Sequence, residues 1–310
     1  VLLLLICGPD LRYFPFKKYV VFFCILIIPM ILCELIIYQE LSMTSISIFF
    51  SMIIGFSIRE VKINSILIIL SIFIAFHLFS FVSILYYGYD LIPQYLYGES
   101  RHLVGVNTLI KIRPSGLYPE PSTLAINYIA ISIILFLRKE NYKYKNVLIS
   151  LSILFSILTF SVISIVSVLI LVSNYRHYFK SFFYKFIIAG GLSYFLYNFI
   201  TLFVLPKIGL YSDRGLDSYK RFELFYVMSE NIGFKPVNFT KSGVALDNGP
   251  ITYLILFCGV YAIPMIFYIL KKSKNNLDVI LILFTKISLT YPLLWLILKN
   301  NESLKGRNSN

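Results

Sequence analysis

Residues 147–172 read VLISLSILFSILTFSVISIVSVLILV, a run without one charged side chain. At 1.5 Å of rise per residue, such a run is long enough to cross a bilayer once with length to spare. Basic clusters flank it on both sides: Arg138, Lys139, Lys143 and Lys145 before, Arg176, Lys180 and Lys185 after. Lysine and arginine accumulate on the cytoplasmic side of membrane proteins, so both clusters belong on the same face. One crossing would put one cluster outside. Two short crossings, broken near Thr159-Phe160-Ser161, remove the conflict, because Ser and Thr hydroxyls satisfy backbone groups freed at a buried helix break. The competing reading is one long, tilted helix with a weak charge bias. The broken form is the expectation adopted.

The rest of the chain has the same character. Of its 310 residues 58% are hydrophobic and 14% charged, against about 25% charged in an ordinary soluble domain. Further spans are expected at 19–38, 42–58, 63–87, 122–137, 182–205, 250–270 and 278–298, with the tail of another at 1–8. The fold class is therefore all-α: a polytopic integral membrane protein of about 9–10 transmembrane helices, forming a single membrane domain over 1–310. The net charge of +13 does not point to nucleic acid, since the basic residues lie in short clusters between spans. Arg12/Lys17/Lys18, Arg59/Lys62 and Lys271/Lys272/Lys274 join the two clusters above as cytoplasmic connections. Two long loops of nearly balanced charge, 88–121 and 206–249, should face outward. Residues 1–8 lack a charged n-region and a cleavage site, so no signal peptide is read. The chain opens with Val in mid-run, which reads either as an N-terminal truncation, the expectation favoured by the sidedness of 1–8, or as a non-standard start codon translated literally.

Metal and redox chemistry find no footing. Cys7, Cys24, Cys33 and Cys258 all sit in apolar runs without a CxxC pair and read as buried small side chains. His77, His102 and His177 make no metal-ligand spacing. His77 reads as a hydrogen-bonded bundle histidine, and Glu34 and Lys286 as charges that snorkel or pair within the bundle. Gly190-Gly191 reads as a close-packing or kink site.

Charge suited to chemistry concentrates in the two outer loops. In the first, Arg113-Pro114-Ser115-Gly116-Leu117-Tyr118-Pro119-Glu120-Pro121-Ser122 places an arginine and a glutamate at the mouth of an apolar span, and its three prolines stiffen the segment. In the second, Tyr219, Phe222, Phe225 and Tyr226 recur at helical spacing, predicting a short interfacial helix over 218–230 that carries Arg221. That loop also holds Arg214 and closes on Asp247-Asn248-Gly249-Pro250, a strong turn signal that sets a second carboxylate at a span mouth. Guanidinium groups bind phosphate oxygens in bidentate fashion and stay charged. A carboxylate beside them can take a proton from a hydroxyl nucleophile. The set thus suits transfer from a diphosphate-activated donor: Arg113, Arg214 and Arg221 for the diphosphate, Asp247 or Glu120 for the proton. No DxD cluster accompanies it, so no metal is expected and the arginines would stabilise the leaving group.

With these residues in view the chain resembles the bacterial O-antigen polymerases, the Wzy-type enzymes that join lipid-linked repeat units. The likeness rests on Arg113, Gly116 and Glu120-Pro121-Ser122 before a span, on Arg221 in a large outer loop that later reads Gly233-Phe234-Lys235-Pro236, and on Asp247-Asn248-Gly249 followed by Tyr253-Leu254 and Gly259. It covers about residues 100–270. The related O-antigen ligases carry a His-Asn pair where this chain has Asp247-Asn248, which favours polymerase over ligase. The resemblance implies a bundle of the membrane-embedded (C-type) glycosyltransferase kind in the bacterial inner membrane, acting on the outer face without a cofactor. It implies undecaprenyl-diphosphate-linked repeat units of O-antigen or capsule as substrates, and a chain-length regulator (copolymerase) and a flippase as partners. It adds Tyr118 and Phe234 as candidate sugar-stacking surfaces. A transporter or flippase of lipid-linked oligosaccharides is the rival from another class, but it predicts internal repeats and midplane charges, and neither stands out here. A non-catalytic scaffold would have no use for arginines and carboxylates at rigid span mouths.

Overall fold

The computed structural model describes residues 28, 31–32, 35–36, 39, 43–58, 62–98, 113–118, 120–137, 144–174, 263, 266–267 and 291–299. These are helical or form turns, with no strand among the described residues. Six helices follow in order: α1 (Met43–Ser57), α2 (Ile63–Tyr87), α3 (Leu91–Tyr97), α4 (Pro121–Leu137), α5 (Lys145–Ile157) and α6 (Val162–Asn174). Residues 292–299 are also helical. The limits of α1, α2 and α4 fall within a residue of the expected spans at 42–58, 63–87 and 122–137. The expected spans at 182–205 and 250–270, the helix at 218–230, the tail at 1–8 and most of 19–38 and 278–298 lie outside the described residues. Among the described residues α2 alone is long and apolar enough to cross a membrane; α4, α5 and parts of α1 and α6 are shorter apolar helices.

The chain divides into two compact units, Val1–Ile69 with Arg221–Asn310 and Leu70–Lys220. In the first, α1 presses against residues 292–299. Gly55 permits the contact, because a Cβ there would lie 2.5 Å from Trp295 Cβ and 2.6 Å from the Pro292 carbonyl oxygen. The Phe56 ring meets the buried Trp295 indole at 5.8 Å between centroids. Lys299 then donates from Nζ to the carbonyl oxygens of Phe56 (2.6 Å) and Ile58 (2.8 Å). Carbonyls at a helix C-terminus have no partner within their own helix, and a cation there also complements the helix dipole.

In the second unit α4 is the core. It starts at Pro121, a position where a missing N–H costs nothing, and nearly all its side chains are buried. Both α5 and α6 pack against it. Ser156 Oγ donates to the Ala125 carbonyl (3.2 Å), so the end of α5 lies beside the start of α4 and the two run antiparallel.

The long apolar run is broken at the expected place. Helix α5 ends at Ile157 and α6 begins at Val162, with a turn through Leu158-Thr159-Phe160 between them. Phe160 has φ +51°, a left-handed conformation rare for a bulky residue. Hydroxyls satisfy the break: Thr159 Oγ1 donates to the Ser156 carbonyl at 2.7 Å, and the Ser156 and Ser164 hydroxyls meet at 2.7 Å across it. Lys145, read as part of a basic cytoplasmic connection, is only 4% exposed.

The seam predicts a contrast between neighbouring serines. Ser156→Ala removes two hydrogen bonds and should cost about 1 kcal/mol or more. Ser152 is equally buried but its hydroxyl has no partner among the described residues, so Ser152→Ala should be neutral or stabilising. Thermal midpoints of the two variants in detergent decide the matter; equal losses would contradict this account of the break.

Candidate functional site

The expected Arg113–Glu120 loop is built from three elements of the second unit: the end of α2, the Asp90 turn and the start of α4. Ser115 anchors it. Its hydroxyl donates to Asp90 Oδ2 at 2.8 Å and its backbone N–H to the same oxygen at 3.2 Å. The N–H also lies 3.2 Å from Ser80 Oγ, and Ser80 itself donates to Asp90 Oδ2. Asp90, Ser80 and Ser115 are all wholly buried. Ser83 closes the network by accepting the Leu91 N–H (3.3 Å) and donating to the Ser80 carbonyl (2.9 Å).

Asp90 and α3 are what the sequence reading missed, having taken 88–121 as loop throughout. A signal was present: Asp at an N-cap position, then Gly98 in the left-handed conformation (φ +70°) after the helix. The Asp90 side chain makes no capping hydrogen bond to its own helix, however. It turns to a loop whose anchor, Ser115, lies 25 residues ahead.

Beyond Ser115 the chain reverses. Tyr118 N–H donates to the Ser115 carbonyl at 3.1 Å, and Gly116 takes φ +61° within that turn. A Cβ on Gly116 would stand 3.2 Å from Leu124 Cδ2 and 3.7 Å from the His77 backbone nitrogen, so the turn is wedged between α4 and α2. Glu120 follows immediately before α4. Its carbonyl accepts the first N–H groups of the helix, from Thr123 (3.1 Å) and Leu124 (3.4 Å), while Oε2 accepts from Ser122 Oγ at 3.1 Å. A carboxylate at this position also faces the positive end of the helix dipole.

The structure brings Arg113 and Glu120 within electrostatic reach of each other. Burial lowers the Arg113 guanidinium to about 10, opposed by the Glu120 charge, which favours the cation. At neutral pH Arg113 therefore remains positive. The pair is half-buried, a partly desolvated cation and a carboxylate on one stiff turn. Such a cation binds anionic oxygen more strongly than a fully hydrated one.

Beneath the loop lies an aromatic cluster. The Tyr118 ring meets Phe73 edge-on at 6.0 Å, and Phe73 meets Tyr128 at 6.0 Å. His77 and Phe155 complete it at 5.4 Å. Tyr118 is thus partly committed to packing, which limits the ring surface it could offer a sugar. His77 lies 3.5 Å from the Tyr128 hydroxyl through Nδ1 and hydrogen-bonds the Leu158 backbone, as expected for a bundle histidine whose partners are internal.

Pro119, Arg214, Arg221, Phe234 and Asp247 lie outside the described residues. Among the described residues no group of His, Cys, Asp and Glu is arranged to hold a metal ion. Comparison with protein-family models, curated proteins and solved structures returned no match.

Two outcomes follow for the loop. Gly116→Ala meets both a left-handed backbone and the Leu124 side chain, and should cost about 1–2 kcal/mol, read as a lower midpoint of thermal unfolding. The second concerns pH. The folded value of Arg113 lies below the unfolded one, so the fold disfavours the cation by a constant amount below about pH 10 and less above it. Anion affinity at this loop should therefore show no arginine titration between about pH 6 and 9; a falling limb in that window that is absent from Arg113→Gln would contradict it.

Proposed function

We propose that this chain is a polytopic membrane glycosyltransferase of the O-antigen or capsule polymerase kind. It would transfer a growing glycan from polyprenyl diphosphate to a lipid-linked repeat unit on the outer face of the bacterial inner membrane. The observation that carries this reading is the half-buried Arg113–Glu120 pair, held on a stiff turn at the mouth of an apolar helix. A phosphate-binding cation and a proton acceptor are thereby fixed a few residues apart.

The membrane part is supported by the burial pattern of α2. Its inner face carries Ser65, His77, Ser80 and Ser83, while Ile68, Leu78, Phe79, Val82 and Leu85 are exposed. The buried face also holds Ile66, Ile69, Leu70 and Phe73, but the outer face is far more apolar than that of a surface helix in water, which turns polar side chains outward. It suits a surrounding of hydrocarbon, in which polar side chains must find partners inside the protein.

In the proposed reaction a hydroxyl of the incoming repeat unit attacks the anomeric carbon of the glycan's reducing-end sugar. The new C–O bond forms as the bond to the diphosphate oxygen breaks, and the electron pair leaves with the diphosphate. Arg113 would stabilise that developing charge, with Arg214 and Arg221 as further ligands on sequence grounds. Glu120 or Asp247 would take the hydroxyl proton. Glu120 suits the role because it is a half-buried carboxylate at the start of α4, beside Arg113.

The test is complementation of a strain that lacks its own polymerase but makes the matching repeat units. Surface polysaccharide should appear as a ladder with the full-length wild type. It should collapse to single repeats with Arg113→Ala, Arg221→Ala and Glu120→Ala, each still inserted in the membrane. Wild-type-length polymer from either arginine variant would defeat the diphosphate assignment. Single repeats in every lane, wild type included, would reject the polymerase reading in favour of ligase or transporter.

A further inference from the structure

We propose that Asp90 is a positioning residue that sets the Arg113–Glu120 loop for its ligand, acting through Ser115 and Ser80 and touching no substrate itself. Its value to the site rests on the function proposed above; its hold on the loop does not.

The geometry is specific. One oxygen, Asp90 Oδ2, receives the Ser115 hydroxyl (2.8 Å), the Ser115 N–H (3.2 Å) and the Ser80 hydroxyl. Ser80 belongs to α2 and Ser115 to the loop, so this oxygen ties the loop to the helix. Ser115 stands two residues after Arg113, and its carbonyl closes the Gly116 turn that leads to Glu120. Both charged residues therefore branch from a backbone whose position depends on that oxygen. With all three partners wholly buried, water cannot take over the acceptor's role when it is removed. The carboxyl is also kept from the capping bond its place before α3 would ordinarily give it.

An acceptor role and a charge role make different demands. Asn offers the same carbonyl oxygen in nearly the same place, so Asp90→Asn should preserve the loop, whereas Asp90→Ala should release it. Ser115→Ala, which deletes the hydroxyl but keeps the N–H bond, should fall between them and guards against an Ala variant that fails to fold.

The experiment reads the loop directly, without requiring polymer. In full-length protein with Cys7, Cys24, Cys33 and Cys258 replaced by Ser, Leu117→Cys is placed in the loop and its labelling rate with N-ethylmaleimide is followed in membranes. Labelling should quicken roughly tenfold with Asp90→Ala, less with Ser115→Ala, and hardly at all with Asp90→Asn. The same variants are then scored for ladder formation, where Asn should retain polymer and Ala should lose it. Unchanged labelling in the Ala variant overturns the positioning role whatever the ladder shows. A slow-labelling but polymer-free Asn variant also overturns it, by assigning Asp90 a role of its own. Absence of polymer in the parent defeats the polymerase reading alone, since the labelling series still decides the hold on the loop.

Discussion

One buried oxygen joins what would otherwise be separate parts of the second unit. Asp90 Oδ2 gathers hydrogen bonds from the long helix α2 and from a loop far along the chain, in a place without solvent. Buried polar groups are costly when unpartnered, so such a junction holds only when its donors converge. Here they do. The consequence runs outward from Ser115 to the Gly116 wedge, from the wedge to Glu120, and from Glu120 to the first turn of α4, the most deeply buried helix of the unit.

The same rule holds for Ser80, Ser83, Ser132, Ser156 and Ser164, each buried and hydrogen-bonded, while Phe79, Leu85, Leu154 and Leu169 on α2, α5 and α6 are exposed. A hydroxyl is small enough for close helix packing and can bond a carbonyl one turn back, as Ser132 does to Tyr128 at 3.2 Å. At the α5–α6 break these hydroxyls replace the intrahelical bonds that the turn interrupts. The break thus rests on local chemistry at Ser156, Thr159 and Ser164 rather than on a glycine or proline.

Much of this was legible in the residues, for identifiable reasons. Helix limits followed from apolar runs that end in charge or turn residues, as at Lys62 before α2 and Tyr87-Gly88 after it. The break at 158–161 was anticipated from charge bookkeeping across an expected membrane, an argument that reaches over the whole chain. The proximity of Arg113 and Glu120 followed from proline-stiffened local geometry. Asp90 was illegible because its partners lie 10 and 25 residues away, and no periodicity reports a pairing of that kind. The burial of Lys145 was hidden for a related reason: its charged neighbours in sequence are mostly basic and give no sign that it is 4% exposed.

Helices α5 and α6 have 13 residues each, about 20 Å of length apiece against a hydrocarbon layer of about 30 Å. On the proposed membrane reading, neither half matches the thickness of the lipid around it. The bilayer beside this pair must thin, or the apex must stop part-way through it. Acyl-chain length in the surrounding membrane would then become a mechanical variable for the protein, able to press on the Leu158–Ser161 apex and, through the hydrogen bond of His77 to the Leu158 backbone, on α2. Lipid composition would in that way set the working shape of a site it never touches.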